Sequence, residues 1–453
     1  MSGALTAFHL RKNSKDVRIV VIDPRPELGL GLAYSTPSMR HLLNVPAGKI
    51  SALPAEPGHF LEWLRNTVDP EATEATFAPR AVFGRYIRAV FSKASNIEQL
   101  QAEVIDLGVD SDTATLKFKD GGLLTADYVV LATGNFDPAA LPGIEVAAVE
   151  NGVYCHNAWS DATYASLPKD ASVTLIGTGL TGIDVVLRLR EVGHTGPITA
   201  VSRHGVFPNR HAACRMAVCS AIPANTAATC VSYLRALRAA IASGIEWRSA
   251  IDSLRSTTND LWLALPLKEQ KRFRRHLQRR WDVVRHRMAP PVADIIEREL
   301  AAGTLRITKG HLVGVSLAAD GARVTLRTAE GPSETHAARV INCTGPGMNY
   351  RRVASPLLQS LFAQGLAASG PLGGGLNTTR YGALLDGQGQ ASSLLFNLGP
   401  GRLGTLLESI AIPEIRQQAV ELAVILDGRL RRQVAASRIQ LQPASQLLSS
   451  AAV

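Results

Sequence analysis

The segment from 172 to 203, SVTLIGTGLTGIDVVLRLREVGHTGPITAVSR, constrains the fold more than any other stretch of the chain. An apolar strand runs into a glycine-rich turn, an amphipathic helix follows, and a second apolar strand completes a βαβ unit. Gly177, Gly179 and Gly182 stand at the G-x-G-x-x-G spacing. The three have separate tasks in such a turn: the first makes the tight bend, the second admits a pyrophosphate to the backbone, and the third lets the helix lie close on the sheet. With Thr178 and Thr181 between them they form a candidate dinucleotide-binding turn. The competing reading is a structural βαβ unit with incidental glycines.

The same pattern stands at the N-terminus, where GALTAFHLRKNSKDVRIVVID places a helix before an apolar strand ending at Asp23. Gly3 to Asp23 and Gly182 to Ser202 are both 20 positions, so the copies align without a gap, and nothing stands opposite Ser172 to Gly179. A Rossmann unit needs that first strand at the centre of its sheet. The expectation is a misassigned start codon or a shortened gene, which an in-frame apolar strand ending in Gly-x-Gly, translated from the bases upstream, would bear out.

The two strand tips differ in charge. A carboxylate such as Asp23 accepts hydrogen bonds from ribose hydroxyls and repels a 2′-phosphate, which suits FAD or NAD, whereas Ser202 and Arg203 suit the phosphate of NADPH. If Arg203 is only a solvated turn residue, NADH is the alternative. Two further strands run into Thr-Gly, Tyr128 to Gly134 and Arg339 to Gly345, each after a hairpin marked by Asp120-Gly121-Gly122 or Asp320-Gly321. Thr133, Gly134 and Gly345 therefore join the candidate binding residues, since a glycine at such a strand end lets a ligand or backbone come close.

These motifs, with Gly31-Leu-Ala-Tyr-Ser-Thr36, Leu42-Leu-Asn-Val-Pro46, Ser202-Arg-His-Gly205, Asn342-Cys-Thr-Gly-Pro346 and Pro413-Glu-Ile-Arg416, resemble the YdhS-like FAD/NAD(P)-binding proteins over nearly the whole chain. That family is similar in layout to flavin-containing and N-hydroxylating monooxygenases. The resemblance implies an α/β protein with two Rossmann-type dinucleotide-binding folds, in which a discontinuous FAD domain is interrupted by an NAD(P)H domain with a helical insertion. The expected division is 1–165 and 311–430 for FAD, 166–310 for NAD(P)H with the insertion at about 212–300, and a loosely ordered tail at 431–453. It also implies FAD contacts from Ser2, Gly3, Asp23, the stretch from Tyr34 and Ser35 through His41 and Asn44 to Val45, Gly134 and Gly399. His41 is as well read as a structural histidine. FAD and NADPH are the expected cofactors, with a small-molecule acceptor as the partner. The expected activity is that of an NAD(P)H-using oxidoreductase, a monooxygenase among the options, and the alternative is a nucleotide-binding protein without turnover.

Composition closes off other classes. The chain has 453 residues, 46% of them hydrophobic and 19% charged, which excludes a largely disordered chain and calls for more than one core. Apolar runs such as Tyr128 to Ala132 and Leu394 to Leu398 are far shorter than the roughly 20 residues of a membrane helix. With no signal peptide read after Arg11 and Lys12, and five cysteines too few for a disulfide framework, a cytoplasmic protein without a metal site is expected. Cys214 and Cys219 have a C-x4-C spacing that some flavin disulfide reductases use, but they lie beyond the second strand of the unit, and ordinary free thiols are the alternative.

The net charge of +10 is concentrated, since residues 268 to 287 hold nine Lys/Arg against Glu269 and Asp282. Phe273, Leu277, Trp281, Val284 and Met288 recur at helical spacing, which predicts one apolar stripe with arginines facing outward. A solvated face, an anionic small molecule or the NADPH phosphates, and nucleic acid are the readings of that helix; no nucleic-acid motif accompanies it, and no nucleic-acid partner is expected. Gly370 to Gly375 reads as a mobile loop.

Overall fold

A computed structural model of the chain describes residues 1–440 apart from 95 and 216, with side chains described to 433. The first part comprises α1 (Ser2–Asn13), β1 (Ile19–Ile22), α2 (Gly31–Tyr34), α3 (His59–Thr67), α4 (Arg80–Ser92) and β2 (Ile97–Leu100). A meander of β3 (Val104–Val109), β4 (Ala114–Phe118) and β5 (Leu123–Ala126) leads to β6 (Val129–Leu131), α5 (Val146–Glu150) and β7 (Tyr154–Cys155). Then come β8 (Val173–Ile176), α6 (Leu180–Glu191) and β9 (Ile198–Ser202), the βαβ unit read from the glycine spacing. Helices α7 (Cys230–Ala242), α8 (Trp247–Ser253), α9 (Thr258–Ala264), α10 (Leu267–His276), α11 (Gln278–Arg285) and α12 (Pro290–Ala301) precede β10 (Leu305–Lys309). A second meander, β11 (His311–Ala318), β12 (Gly321–Arg327) and β13 (Pro332–Ala337), leads to β14 (Arg339–Asn342). The chain continues through α13 (Pro356–Ala363), β15 (Ala383–Leu385), β16 (Ala391–Asn397) and α14 (Ile412–Gln440).

The second nucleotide fold is a five-stranded sheet in the order β10-β9-β8-β14-β7, parallel at every pairing. All four residues of β8 are buried at its centre, the burial on both faces that a parallel sheet requires. Val185, Val186 and Leu189 of α6 and Val292, Ala293 and Ile296 of α12 share one core with it.

Three boundaries differ from the sequence reading. β14 pairs with β8, so the second fold extends to about residue 342 instead of ending at 310: the strand after each meander joins the sheet of its own unit. Because α12 packs into the sheet core, the inserted helices are α7 to α11. The tail is helical through Gln440, with Leu422 and Leu426 of α14 buried against the core that holds Leu5 and Leu10 of α1; residues 441–453 of the expected loose tail lie outside the described residues.

The first fold is assembled in two ladders. β1 pairs in parallel with β2, and β6 with β16, whose other edge carries β15. Among the described residues no strand joins β1 to β6, and Val21 and Val130 are only partly buried.

Gly370 to Gly375 is no open loop. A Cβ at Gly370 would lie 2.2 Å from the Gly404 carbonyl oxygen, and one at Gly375, where φ is +55°, would lie 2.5 Å from the Gly404 nitrogen. Only glycines allow this backbone to lie so close to residues 400–404.

Candidate dinucleotide site

The turn after β8 meets each geometric demand of the glycine motif. At Gly177 φ is +124°, and a Cβ would stand 2.4 Å from the Cys343 carbonyl oxygen at the end of β14. At Gly182 a Cβ would stand 2.6 Å from the Gly177 carbonyl oxygen, so α6 rests directly on the turn. A Cβ at Gly179, the N-cap of α6, would meet nothing within 4 Å. The open backbone thus lies where a helix N-terminus offers its N–H groups to an anion. Thr181 is in the first turn of that helix.

At the tip of β9, Thr178 Oγ1 donates to Ser202 Oγ at 2.8 Å, and the Gly205 N–H donates to the same oxygen at 3.0 Å. Ser202 therefore shapes the loop. The charge comes from around it: Lys309 is the register partner of Ser202 in β10, and Arg203 and His204 follow on an exposed bend. Desolvation holds the His204 pKa below its ordinary value, followed by Arg203, Arg279, Lys309 and His311. Among the described residues no carboxylate pairs with Arg203 or Lys309.

Arg279 was grouped by its periodicity with an outward face, and the structure corrects this. The basic segment breaks at Leu277 into α10 and α11, and the cations separate into different roles. Arg279 Nη2 donates to the Thr178 carbonyl oxygen (3.1 Å), to Thr178 Oγ1 (3.0 Å) and to the Val206 carbonyl oxygen (2.5 Å). Arg274 stacks over Trp262 at 5.2 Å, while Arg285 and Arg287 are buried.

In the first fold, the start of α1 faces the strand ends. A Cβ at Gly3 would lie 3.3 Å from Ala132 Cβ, and one at Gly399 (φ +82°) would lie 2.7 Å from Ser2 Oγ. Gly134 and Gly345 both have positive φ, and a Cβ at either would meet nothing within 4 Å, so the two Thr-Gly strand ends present open backbone beside Thr133 and Thr344. The Met1 amine is buried, which lowers its pKa to about 5, with Arg25 acting in the same direction. Both Asp23 oxygens are held by the Arg25 guanidinium, at 2.9 and 2.8 Å. Asp23 is thus at the strand tip with its charge already answered, and a ribose would share it with Arg25.

The stretch from Tyr34 to Val45 joins the two folds. Tyr34 packs on Phe83 of α4 with ring centroids 5.2 Å apart, Ser35 is exposed, Asn44 is half-buried and Val45 is buried. Burial raises the Tyr34 pKa to about 12. Both nitrogens of buried His41 are engaged, Nδ1 with Thr36 Oγ1 at 2.7 Å and Nε2 with the Asp184 carbonyl oxygen of α6 at 2.9 Å. The structural reading of His41 therefore accounts for its hydrogen bonds. Arg80 holds the Asp184 carboxylate through two bonds, at 2.7 and 3.2 Å. Sequence reasoning passed over Asp184 and Arg80, although an acid inside the apolar run Ile183-Asp-Val-Val-Leu187 signals a buried partner.

The inserted helices dock on residues 405–414, just beyond Gly399. Trp262 Nε1 donates to the Thr405 carbonyl oxygen at 3.0 Å, and Asn259 Oδ1 accepts from the Leu407 and Glu408 N–H groups. Arg285 pairs with Glu408 at 2.7 Å and Glu414 at 3.4 Å, Arg255 with Glu414 at 3.2 Å, and Arg287 with Asp252. Three cations and three carboxylates balance in this enclosed joint. Desolvation, then Arg287, lowers the His211 pKa to about 4; desolvation, then Arg285, lowers that of His286 to about 4.

The five cysteines are free thiols in different surroundings, with Cys219 exposed. Cys343 is buried under the Gly177 turn and its thiol pKa is driven upward by desolvation, that of Cys230 is raised to about 11, and Cys214 lies beside the Asp252 carboxylate at 3.8 Å.

Residues 1–136 match the FAD-NAD(P)-binding family model, so the first part of the chain is an FAD/NAD(P)-binding domain. No curated protein matches the chain. Solved structures extend the likeness. Ornithine hydroxylase from Pseudomonas aeruginosa aligns over 95% of this chain and 97% of its own, at 14% identity and a TM-score of 0.64. The ornithine N-hydroxylase of Kutzneria sp. 744, with reduced FAD, NADP+ and L-ornithine, aligns over the same shares at 14% identity and 0.62. Bacillithiol disulfide reductase from Bacillus cereus aligns over 94% and 96%, at 14% identity and 0.52. At that identity the likeness is one of fold, two Rossmann-type dinucleotide-binding units, as the sequence pattern predicts.

Two outcomes follow from this geometry. Gly177→Ala forces a side chain into the Cys343 backbone and an unfavourable φ, and should lower the affinity for any dinucleotide held on this turn at least tenfold and reduce thermal stability by about 1–3 kcal/mol, measured by titration and melting. Unfolded His211 and His286 take up protons near pH 6.5, but the folded protein resists until about 4. The unfolded chain binds more protons in that window, so stability is complete above about 6.5 and is lost as pH falls toward 4. A urea midpoint that stays constant between pH 7.5 and 4.5 contradicts this.

Proposed function

We propose that this protein is an FAD-dependent oxidoreductase that takes its reducing equivalents from NADPH and acts on a small-molecule acceptor, with a flavin monooxygenase as the preferred reaction class. The observation that carries this reading is the open Gly179 backbone next to a cluster of Arg203, His204 and Lys309 whose two cations make no ion pair among the described residues. The donors fit a pyrophosphate on the turn and a 2′-phosphate at the strand tip. The open backbone at Gly134 and Gly345 fits the flat or anionic parts of two nucleotides.

When bound, FAD would supply the redox chemistry, a two-electron relay between a nicotinamide and an acceptor such as oxygen. The chain positions and encloses. Ser2, Gly3, Gly134 and Gly399 would hold the flavin nucleotide, and Gly177, Gly179 and Gly182 the NADPH pyrophosphate. Arg279 fixes the conformation of Thr178 in that turn. His41 and Arg80 hold α6 against the flavin-side segment, and the docked helices exclude water from the side of residues 405–414. The fold likeness to two ornithine hydroxylases supports oxygen as the electron acceptor.

Purified protein should show a flavin absorption spectrum that bleaches on anaerobic addition of NADPH; a colourless protein, or a yellow one that NADPH leaves unchanged, overturns the proposal and favours binding without turnover. Arg203→Ala and Lys309→Ala should each raise KM for NADPH by about 10- to 100-fold, the loss expected of a charge-assisted hydrogen bond, with little effect on NADH.

A further inference from the structure

At the opposite end of α6 from the glycine turn lies a groove of about 810 Å³ between the two nucleotide folds. Arg40 and Leu42 form one wall, and α12 and the end of α6 form the other. Val292 and Ile295 provide an apolar floor. The charges above that floor are unbalanced. Arg190 is neutralised by Glu299 through two bonds, at 2.7 and 2.9 Å, whereas among the described residues neither Arg40 nor Arg298 pairs with a carboxylate. His194 also lines the groove with only 3% of its surface exposed, and neither ring nitrogen makes a hydrogen bond of ordinary geometry. Desolvation, then Arg190, holds the His194 pKa below its ordinary value, with the Pro168 carbonyl opposing them. A buried imidazole without a hydrogen bond of ordinary geometry, in the same groove as an apolar floor and two guanidiniums that make no ion pair among the described residues, is the combination that an amphipathic anion satisfies. The volume is in the range of small-molecule sites, about 300–1,000 Å³.

We propose that this groove is a second ligand site that binds an organic carboxylate with an apolar body, its head on Arg40 and Arg298 and its chain on Leu42, Val292 and Ile295. The twelve residues of α6 separate it from the dinucleotide turn by about 18 Å at 1.5 Å per residue, so the two sites can be filled together. Arg40 and Leu42 flank His41, whose ring is bonded to α6, so the ligand bridges the joint between the folds. The inference does not rest on the proposed redox reaction.

Decanoate is a suitable probe, used below its micelle concentration and followed by calorimetry on the full chain. Saturable one-to-one binding is expected, with acetate and decanol at least tenfold weaker because each lacks one half of the recognition. Arg40→Ala and Arg298→Ala, both exposed positions, should each weaken decanoate about tenfold or more while the circular dichroism spectrum is retained. Saturating NADPH should leave decanoate affinity unchanged. Absence of saturable decanoate binding, equal binding of decanol, insensitivity to both arginine variants, or displacement by NADPH would overturn the proposal.

Discussion

The Asp184 carboxylate is the interaction on which the two-fold architecture depends. It stands on the buried face of α6, two residues past Gly182, with 7% of its side chain exposed. An isolated carboxylate there would be strongly unfavourable, and Arg80 answers it with two charge-assisted hydrogen bonds from the other nucleotide fold. The backbone carbonyl oxygen of the same residue accepts a hydrogen bond from His41 Nε2. Removing one partner of such a pair costs about 3–5 kcal/mol, because the other charge stays buried. Side chains from residues 36–41 and from α4 therefore converge on one turn of α6. The separation of the two glycine-rich regions is set by a buried ion pair, supported by apolar packing of Leu42 and Phe77 on the second core.

A second set of charges does comparable work on the other side. The basic segment that dominates the net charge is divided in space: Arg279 shapes the dinucleotide turn, Arg274 covers Trp262, and Arg285 and Arg287 enter a balanced ionic joint, while Lys271, Arg275 and Arg280 remain exposed. A composition count assigns one electrostatic meaning to such a run. The break at Leu277 rotates the second half relative to the first, and neighbouring arginines then meet different environments.

Much of the fold was legible because its signals are local. Gly177, Gly179 and Gly182 encode backbone demands that the structure meets one by one, and the two Asp-Gly hairpins and Thr-Gly strand ends follow from turn chemistry. The assignment of β14 to the second sheet was not legible, because a buried parallel strand carries no mark of which neighbour it pairs with. Arg203 could be singled out from its place after the second strand, but Lys309 and Arg279 reach the same corner from residues far along the chain. The close packing of Gly370 to Gly375 was hidden for a related reason: glycines that permit mobility and glycines that permit tight contact look alike in one dimension.

The two unjoined ladders of the first fold give its ligand a structural task. Residues at the start of α1, after β6 and after β16 converge there from separate ladders, with no strand hydrogen-bonding β1 to β6 among the described residues. A nucleotide that touches all three binds the assembled arrangement and not the separated one, so its free energy adds to the stability of that half in proportion to the logarithm of its concentration. In a cell, the abundance of this protein would then follow the supply of its flavin, because protein made when the cofactor is scarce spends more time open to proteolysis.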